Sequence, residues 1–131
     1  MFSPQTSSTG PAAPADLELL RQWRCGDSPD VWDFLARIGS LPPDQIVAVL
    51  AVDQQERWQR GERPWAEAYL EKCPELAGQP ESALELIYGE FLLRERQGES
   101  PQPQEYLRRF TEFAARLEEQ FQCRKALGGL L

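Results

Sequence analysis

The feature that most constrains the fold of this chain is a motif that occurs three times at nearly constant spacing. RCGDSPDVWDFLARI surrounds Gly26, QRGERPWAEAYLEKC surrounds Gly61 and RQGESPQPQEYLRRF surrounds Gly98, so successive glycines lie 35 and 37 residues apart. The copies share the glycine, an acid directly after it, a proline two positions beyond the acid, and an aromatic–Leu pair. The residues that carry this signature are Gly26, Asp27, Pro29, Phe34, Leu35, Gly61, Glu62, Pro64, Tyr69, Leu70, Gly98, Glu99, Pro101, Tyr106 and Leu107. A period of about 35 residues is typical of stacked helical units.

A helix–turn–helix unit explains each position of the motif. Glycine adopts the left-handed conformation that ends many helices, and proline suits the first position of the next helix, where no N–H is needed. We therefore expect Pro29, Pro64 and Pro101 to open short helices. Ser28 and Ser100 directly precede two of these prolines and are the expected N-caps. The acid after each glycine is expected to accept backbone N–H groups of that short helix; the alternative is a repeated contact to a ligand.

The rest of the chain also reads as helix. β-Branched residues are scarce, and no stretch alternates apolar and polar residues over the length of a strand. Long helices are predicted over 16–24, 44–60 and 81–97, and a final helix over 112–127. The predicted fold is all-α, with about seven helices: three stacked helix–turn–helix units and a C-terminal helix that caps them. The helix over 81–97 is apolar nearly all round, so we expect it to be the most enclosed.

Composition sets the expected domain limits and location. Residues 1–14 are rich in Ser, Thr, Pro, Gly and Ala, which predicts a disordered leader. Residues 15–127 are predicted to form one helical domain, and residues 128–131 a flexible tail. Neither a signal peptide nor a long apolar run is visible, so the expected location is the cytoplasm. The three cysteines, Cys25, Cys73 and Cys123, form an odd set without a CxxC pair and are expected to be free thiols.

Residues suited to catalysis are few. The chain has no histidine, so it lacks the commonest general base and metal ligand. Its glycines form no phosphate-binding loop, and its carboxylate pairs fall on helix faces that should be solvated. We therefore predict no catalytic residue, no cofactor and no metal. The rival interpretation is an unusual active site built from Glu, Tyr and Arg, which would need a deep pocket with converging carboxylates.

Charge narrows the class of partner. The formal net charge is −7, which disfavours nucleic acid and anionic membranes and favours a basic protein surface. Aromatic and arginine anchors are common hot spots in protein interfaces. The candidate partner-binding residues are Trp32, Trp65, Arg57, Arg60 and Arg63. For the arginines, the alternative is intramolecular ion pairing, with Arg57 or Arg94 packed across the seam between units. A DNA-binding helix–turn–helix regulator also remains open, although no basic stripe marks a recognition helix.

Two stretches resemble a known family. DQQERWQRGERPWAEAYLEKCPEL and ESALELIYGEFLLRERQGESPQPQEYLRRFTEFAARLEEQF are similar to the non-catalytic N-terminal segment of many serine/threonine protein kinases from planctomycete-type bacteria. The resemblance covers about residues 44–127, and LIYGEFLLRERQGE is its most specific part. Cys73 and Thr111 depart from it, since the family pattern commonly has Phe and Pro there. The resemblance implies a regulatory or docking region and brings no catalytic residue with it.

Together these observations predict a non-enzymatic helical interaction module in bacterial serine/threonine kinase signalling. The expected partner is another protein or a linked domain, a kinase among the candidates. A purely structural module that oligomerises through the LIYGEF segment is a further alternative, and the sequence leaves the oligomeric state open.

Overall fold

A computed structural model describes residues 14–130 of the chain, apart from the side chains of Ala77 and residues 127–130. Within this part the fold is all-α, as predicted, with eight α-helices and no strand. The helices are α1 Ala15–Arg24, α2 Val31–Ile38, α3 Pro43–Gln59, α4 Ala66–Lys72, α5 Pro74–Ala77, α6 Pro80–Arg96, α7 Pro103–Arg109 and α8 Ala114–Leu130. The short helix α5 was not predicted. The predicted leader, except Pro14, lies outside the described residues.

The predicted glycine turns are confirmed. Gly26, Gly61 and Gly98 have φ of 94°, 89° and 87°, the left-handed region that favours glycine. In all three turns the glycine N–H donates to the carbonyl three residues earlier, and the next N–H donates to the carbonyl five residues earlier. This pattern satisfies the last carbonyls of α1, α3 and α6 in the same way.

The predicted starts of the short helices are wrong. α2, α4 and α7 begin two residues after the motif prolines, so Pro29, Pro64 and Pro101 do not open them. The carbonyls of Pro29 and Pro64 accept hydrogen bonds from the side chains of Arg57 and Trp58, each at 3.1 Å. These side-chain bonds from α3 hold the proline segments in place ahead of the helices.

The predicted serine caps fail for the same reason. Because α2 begins at Val31, its N-cap is Asp30 and not Ser28. The Asp30 carboxylate accepts from the backbone N–H groups of Trp32 and Asp33, at 2.8 and 3.2 Å. Ser100 is not an N-cap either, since Gln102 precedes α7 and makes no side-chain cap bond.

The long helices lie side by side. α3 packs against α1 on one side and α6 on the other, and α8 packs against α6 and α7. One apolar core is built by residues of α1 to α5, and a second by residues of α6, α7 and α8 together with Ala66 of α4. α6 contributes to both, through Leu86 in the first and Ile87 and Phe91 in the second. α6 is enclosed, as predicted, and α3 is enclosed as well. That the three hairpins form equivalent stacked units stays a prediction.

The C-terminal helix differs in its limits from the prediction. A 3₁₀ turn, Thr111–Phe113, precedes α8, and α8 runs to Leu130, beyond the predicted domain end at 127. Phe113 and Leu117 are buried against the second core. Within residues 14–130, no helix combines the length and the apolar character that a membrane crossing requires.

Candidate partner-binding face

Two buried carboxylates tie the long helices to the short ones. On α3, Asp53 Oδ2 accepts from Arg57 Nε at 2.9 Å and from the Tyr69 hydroxyl at 2.8 Å. On α6, Glu90 Oε2 accepts from the Tyr106 hydroxyl at 2.6 Å. Both carboxylate side chains are almost fully buried, with 1% and 0% exposure. The two acids lie 37 residues apart in sequence, as do the two tyrosines, so these are two versions of one arrangement.

The network around Glu90 is closed by Arg109. Arg109 Nη1 donates to Glu90 Oε2 at 2.7 Å and Nη2 to Oε1 at 3.1 Å, while the Ala66 N–H donates to Oε1 at 2.8 Å. The same guanidinium also pairs with Glu67 and Glu105, at 2.5 and 3.2 Å. Burial lowers the pKa of Arg109, but its bonds to Glu67 and Glu90 outweigh this and raise the pKa above its ordinary value.

Aromatic rings enclose the same guanidinium. Its central carbon lies 4.7 Å from the ring centroids of Trp65 and Tyr106 and 5.0 Å from that of Phe110. Cation–π contact at this distance adds to the ion pairs, because the ring faces are electronegative. The Arg109 side chain is 17% exposed and has partners on every side.

The network around Asp53 is open. Asp53 Oδ1 is buried and accepts no hydrogen bond from any residue between 14 and 130. Burial raises the pKa of Asp53, although Tyr69 and Arg57 act in the opposite direction. Lys72 stands in sequence where Arg109 stands, 37 residues earlier, but forms no ion pair among the described residues. Its ammonium lies 5.6 Å from the Trp32 ring centroid instead.

A small pocket lies over the open network, between α2, α3 and α4. We name it the Trp32 pocket; its volume is about 260 Å³. Its lining consists of Asp30, Val31, Trp32, Asp53, Arg57, Pro64, Ala68, Tyr69 and Lys72. Trp32 is half-buried, and its ring lies tilted against Tyr69 with 6.2 Å between centroids. Two aromatic walls and a buried carboxyl therefore face one another across a space the size of a side chain.

A wider hollow adjoins this pocket. We name it the Trp65 hollow; its lining consists of Trp65, Glu67, Ala68, Glu71, Glu105 and Arg109, and its volume is about 400 Å³. Trp65 is 47% exposed, unusual for so large an apolar side chain. Ala68 lines both cavities, so Trp32 and Trp65 belong to one surface. We name the two cavities together the Trp face.

The three candidate arginines are engaged within the fold. Arg57 pairs with Asp53 at 2.9 Å and with Glu62 at 2.8 Å. Arg60 pairs with Glu56 at 2.7 Å. Arg63 pairs with Glu99. Arg60 also stacks on Trp23 and Arg63 on Trp58, each at 4.7 Å from the ring centroid. The intramolecular alternative for these arginines is confirmed. Of the three, only Arg57 borders the Trp face.

The predicted role of the acids after the glycines is wrong. Glu62 accepts from Arg57 at 2.8 Å, and Glu99 accepts from Arg94 at 2.9 Å, so both bind guanidinium groups and not helix N–H groups. α4 and α7 begin too late in the chain for these carboxylates to cap them. The hydrogen bond from Arg94 holds the pKa of Glu99 below its ordinary value.

Sequence reasoning missed the residues that organise the face, namely Asp53, Glu90 and Arg109. The 37-residue spacing of the two acids was the available signal. The LIYGEF segment, considered as an oligomer surface, is mostly inside the fold: Leu86, Ile87, Glu90 and Phe91 are buried. A separate groove of about 540 Å³ lies between α6, α7 and α8 and is lined by apolar residues, among them Leu107 and Phe121, and by charged and amide side chains.

No group of three potential metal-ligating side chains occurs within residues 14–130. Comparison of this chain with protein-family models, with curated proteins and with solved structures finds no match.

Proposed function

We propose that this chain is a non-enzymatic helical module that binds another protein, or a linked domain, through the Trp face. The observation that carries the proposal is the exposed ring of Trp65, held in place by the buried Arg109 network. A large aromatic side chain that is already ordered loses little conformational freedom on binding, which makes it a strong interface anchor.

Charge defines the kind of partner. Three acids, Glu67, Glu71 and Glu105, line the Trp65 hollow against one cation, Arg109, and the whole chain carries a net charge of −7. A basic protein surface is steered toward such a face and is held there by complementary potential. The likeness of residues 44–127 to kinase N-terminal segments supports a place in bacterial serine/threonine kinase signalling, in the cytoplasm. On that basis the module docks a kinase or one of its partners.

The DNA-binding alternative lacks a comparable observation. It would need a row of free basic side chains, whereas Arg57, Arg60 and Arg63 are ion-paired with carboxylates of the same chain. A salt-sensitive gel shift with duplex DNA would revive it.

The proposal is tested with three immobilised forms of the chain: wild type, Trp65→Ala and Leu17→Ala. Leu17 is a matched control, because it is also a large exposed apolar residue, 52% exposed, but lies on α1 away from the Trp face. Each form is exposed to native lysate, and recovered proteins are quantified. We expect Trp65→Ala to reduce recovery of basic partners by about 30-fold, the effect of a hot spot worth about 2 kcal/mol.

Leu17→Ala should recover the same partners as wild type. Equal recovery by all three forms, with circular dichroism showing that all are folded, would exclude Trp65 as the anchor. Elution of the partners by moderate salt would support the charge argument, and elution by detergent alone would contradict it.

A further inference from the structure

We propose that the Trp32 pocket is a binding site for an arginine side chain of the partner, whose guanidinium pairs with Asp53 as Arg109 pairs with Glu90. This inference rests on the proposed function and names the chemistry of the partner. Because the net charge of −7 already favours a basic partner, one of its arginines is a fitting occupant.

The closed network shows how this fold holds a guanidinium. Arg109 contacts both oxygens of Glu90, at 2.7 and 3.1 Å, and the Tyr106 hydroxyl shares one of those oxygens. Such forked pairing is specific to arginine, because its planar donors match the two oxygens of a carboxylate. Aromatic rings at 4.7 Å complete the enclosure.

The Trp32 pocket repeats these parts without a counterpart of Arg109: Arg57 binds Asp53 Oδ2, and no described residue binds Oδ1. Asp53 replaces Glu90 and Tyr69 replaces Tyr106, and the Tyr69 hydroxyl again bonds the carboxylate, at 2.8 Å. Trp32 supplies an aromatic wall beside Tyr69. Asp53 is 1% exposed, and its Oδ1, which has no hydrogen-bond partner within residues 14–130, is the acceptor left for a donor. A buried acceptor of this kind calls for a partner, because leaving it unbonded is costly.

Lys72 does not fill this role. Its ammonium contacts the Trp32 ring at 5.6 Å rather than the carboxylate, and its side chain is exposed at the edge of the pocket. A lysine also lacks the forked donors that span two oxygens. Lys72 therefore leaves Asp53 Oδ1 without a donor in a pocket that Asp53 itself lines.

A second cation beside Arg57 has a precedent in the same molecule. In the closed network Arg94, the counterpart of Arg57, donates to the Tyr106 hydroxyl at 3.1 Å while Arg109 binds Glu90 close by. Two guanidinium groups are thus held at one tyrosine–carboxylate pair, Arg94 by the tyrosine and Arg109 by the carboxylate. Glu62 offsets the charge of Arg57 as Glu99 offsets that of Arg94.

The size of the pocket fits one side chain. Its volume of about 260 Å³ lies below the range of about 300–1,000 Å³ usual for drug-sized ligands. Through Ala68 it adjoins the Trp65 hollow, so one partner segment can place an arginine in the pocket and contact Trp65.

The test uses the full chain labelled with ¹⁵N and a defined probe, N-acetyl-arginine amide. Its neutral isostere, N-acetyl-citrulline amide, serves as the control ligand. In nuclear magnetic resonance spectra, we expect the arginine probe to change the chemical shift of the Trp32 indole N–H in a saturable way. The dissociation constant should be on the order of millimolar, as suits one side chain. The citrulline probe should produce no saturable shift.

Three variants complete the test. Asp53→Asn should weaken the arginine probe at least tenfold, Lys72→Met should leave binding equal or tighter, and Leu17→Ala should leave it unchanged. The spectra themselves show whether each variant is folded. Absence of a saturable shift in the wild type, equal binding of citrulline, or full binding by a folded Asp53→Asn variant would overturn the inference. Each of these results leaves the Trp65→Ala comparison intact, so failure here is distinct from failure of the proposed function.

Discussion

Arg109 is the residue whose loss should destabilise this fold most clearly. Arg109→Met keeps much of the apolar stem but removes the charge that pairs with Glu67, Glu90 and Glu105. Glu90 then stays 0% exposed with only neutral donors. Removing one member of a buried ion pair costs about 3–5 kcal/mol, because the other charge stays buried. The half-exposed Glu67 and Glu105 add at most about 1 kcal/mol each. A loss of this size is a large share of the roughly 5–15 kcal/mol typical of a domain.

Urea unfolding followed by far-ultraviolet circular dichroism measures this loss, provided that the slopes of the transitions agree. In the double variant Glu90→Gln/Arg109→Met the buried charge is absent, so it should be more stable than Arg109→Met alone. Arg21→Met is the control, since Arg21 pairs with Glu18 on the open surface of α1, and its midpoint should barely change. A loss below about 1 kcal/mol for Arg109→Met, or no recovery in the double variant, would refute the reasoning.

Three further predictions follow from single features. Gly61→Ala should lower the free energy of unfolding by about 1–2 kcal/mol, because φ is 89° at this residue. Gly78→Ala is the control and should not lower it, because φ is −86° there. Equal midpoints of urea unfolding for the two variants would contradict this. Burial raises the pKa of the Cys73 thiol to about 11, so Cys73 should react with a thiol reagent far more slowly than the exposed Cys25 and Cys123. Equal reaction rates at all three cysteines would contradict this. Hydrogen bonds from Arg94 hold the pKa of Glu99 low, and those from Arg109 outweigh burial to lower the pKa of Glu67. Both ion pairs should therefore stabilise the fold above about pH 4.5, and this stability should be lost as the pH falls further. Melting temperatures measured as a function of pH test this, and a rise in stability on acidification would count against these pairs.

The helix ends could be predicted because a local rule decides them. A glycine that takes positive φ stops a helix wherever it stands, and Gly26, Gly61 and Gly98 all do so. The starts of the short helices could not, because side chains distant in sequence hold the segments that precede them. Arg57 binds the carbonyl of Pro29 from 28 residues away, and no pattern around that proline encodes this bond. α5 was missed because four residues are too few to show helical periodicity.

The candidate site was predictable by residue type but not by arrangement. Trp32 and Trp65 were predicted as aromatic anchors of an interface, and both border the Trp face. Acids on helices are usually solvated, so nothing local distinguished Asp53 and Glu90, which the packing of two helices buries. The role of Arg109 could not be predicted from the sequence either, because its partners come from three different helices.

The contrast between the two networks yields a final prediction. Asp53 has one methylene fewer than Glu90, and Lys72 has no fork to match that of Arg109, so the first network cannot close upon itself. The double substitution Asp53→Glu/Lys72→Arg would give the first network a glutamate and an arginine where the second has Glu90 and Arg109. The new arginine should then bind the new glutamate from within the chain, raise the urea midpoint above that of the wild type, and exclude N-acetyl-arginine amide from the Trp32 pocket. If the double variant bound the probe as the wild type does, the carboxyl at position 53 would not be the group that receives a guanidinium.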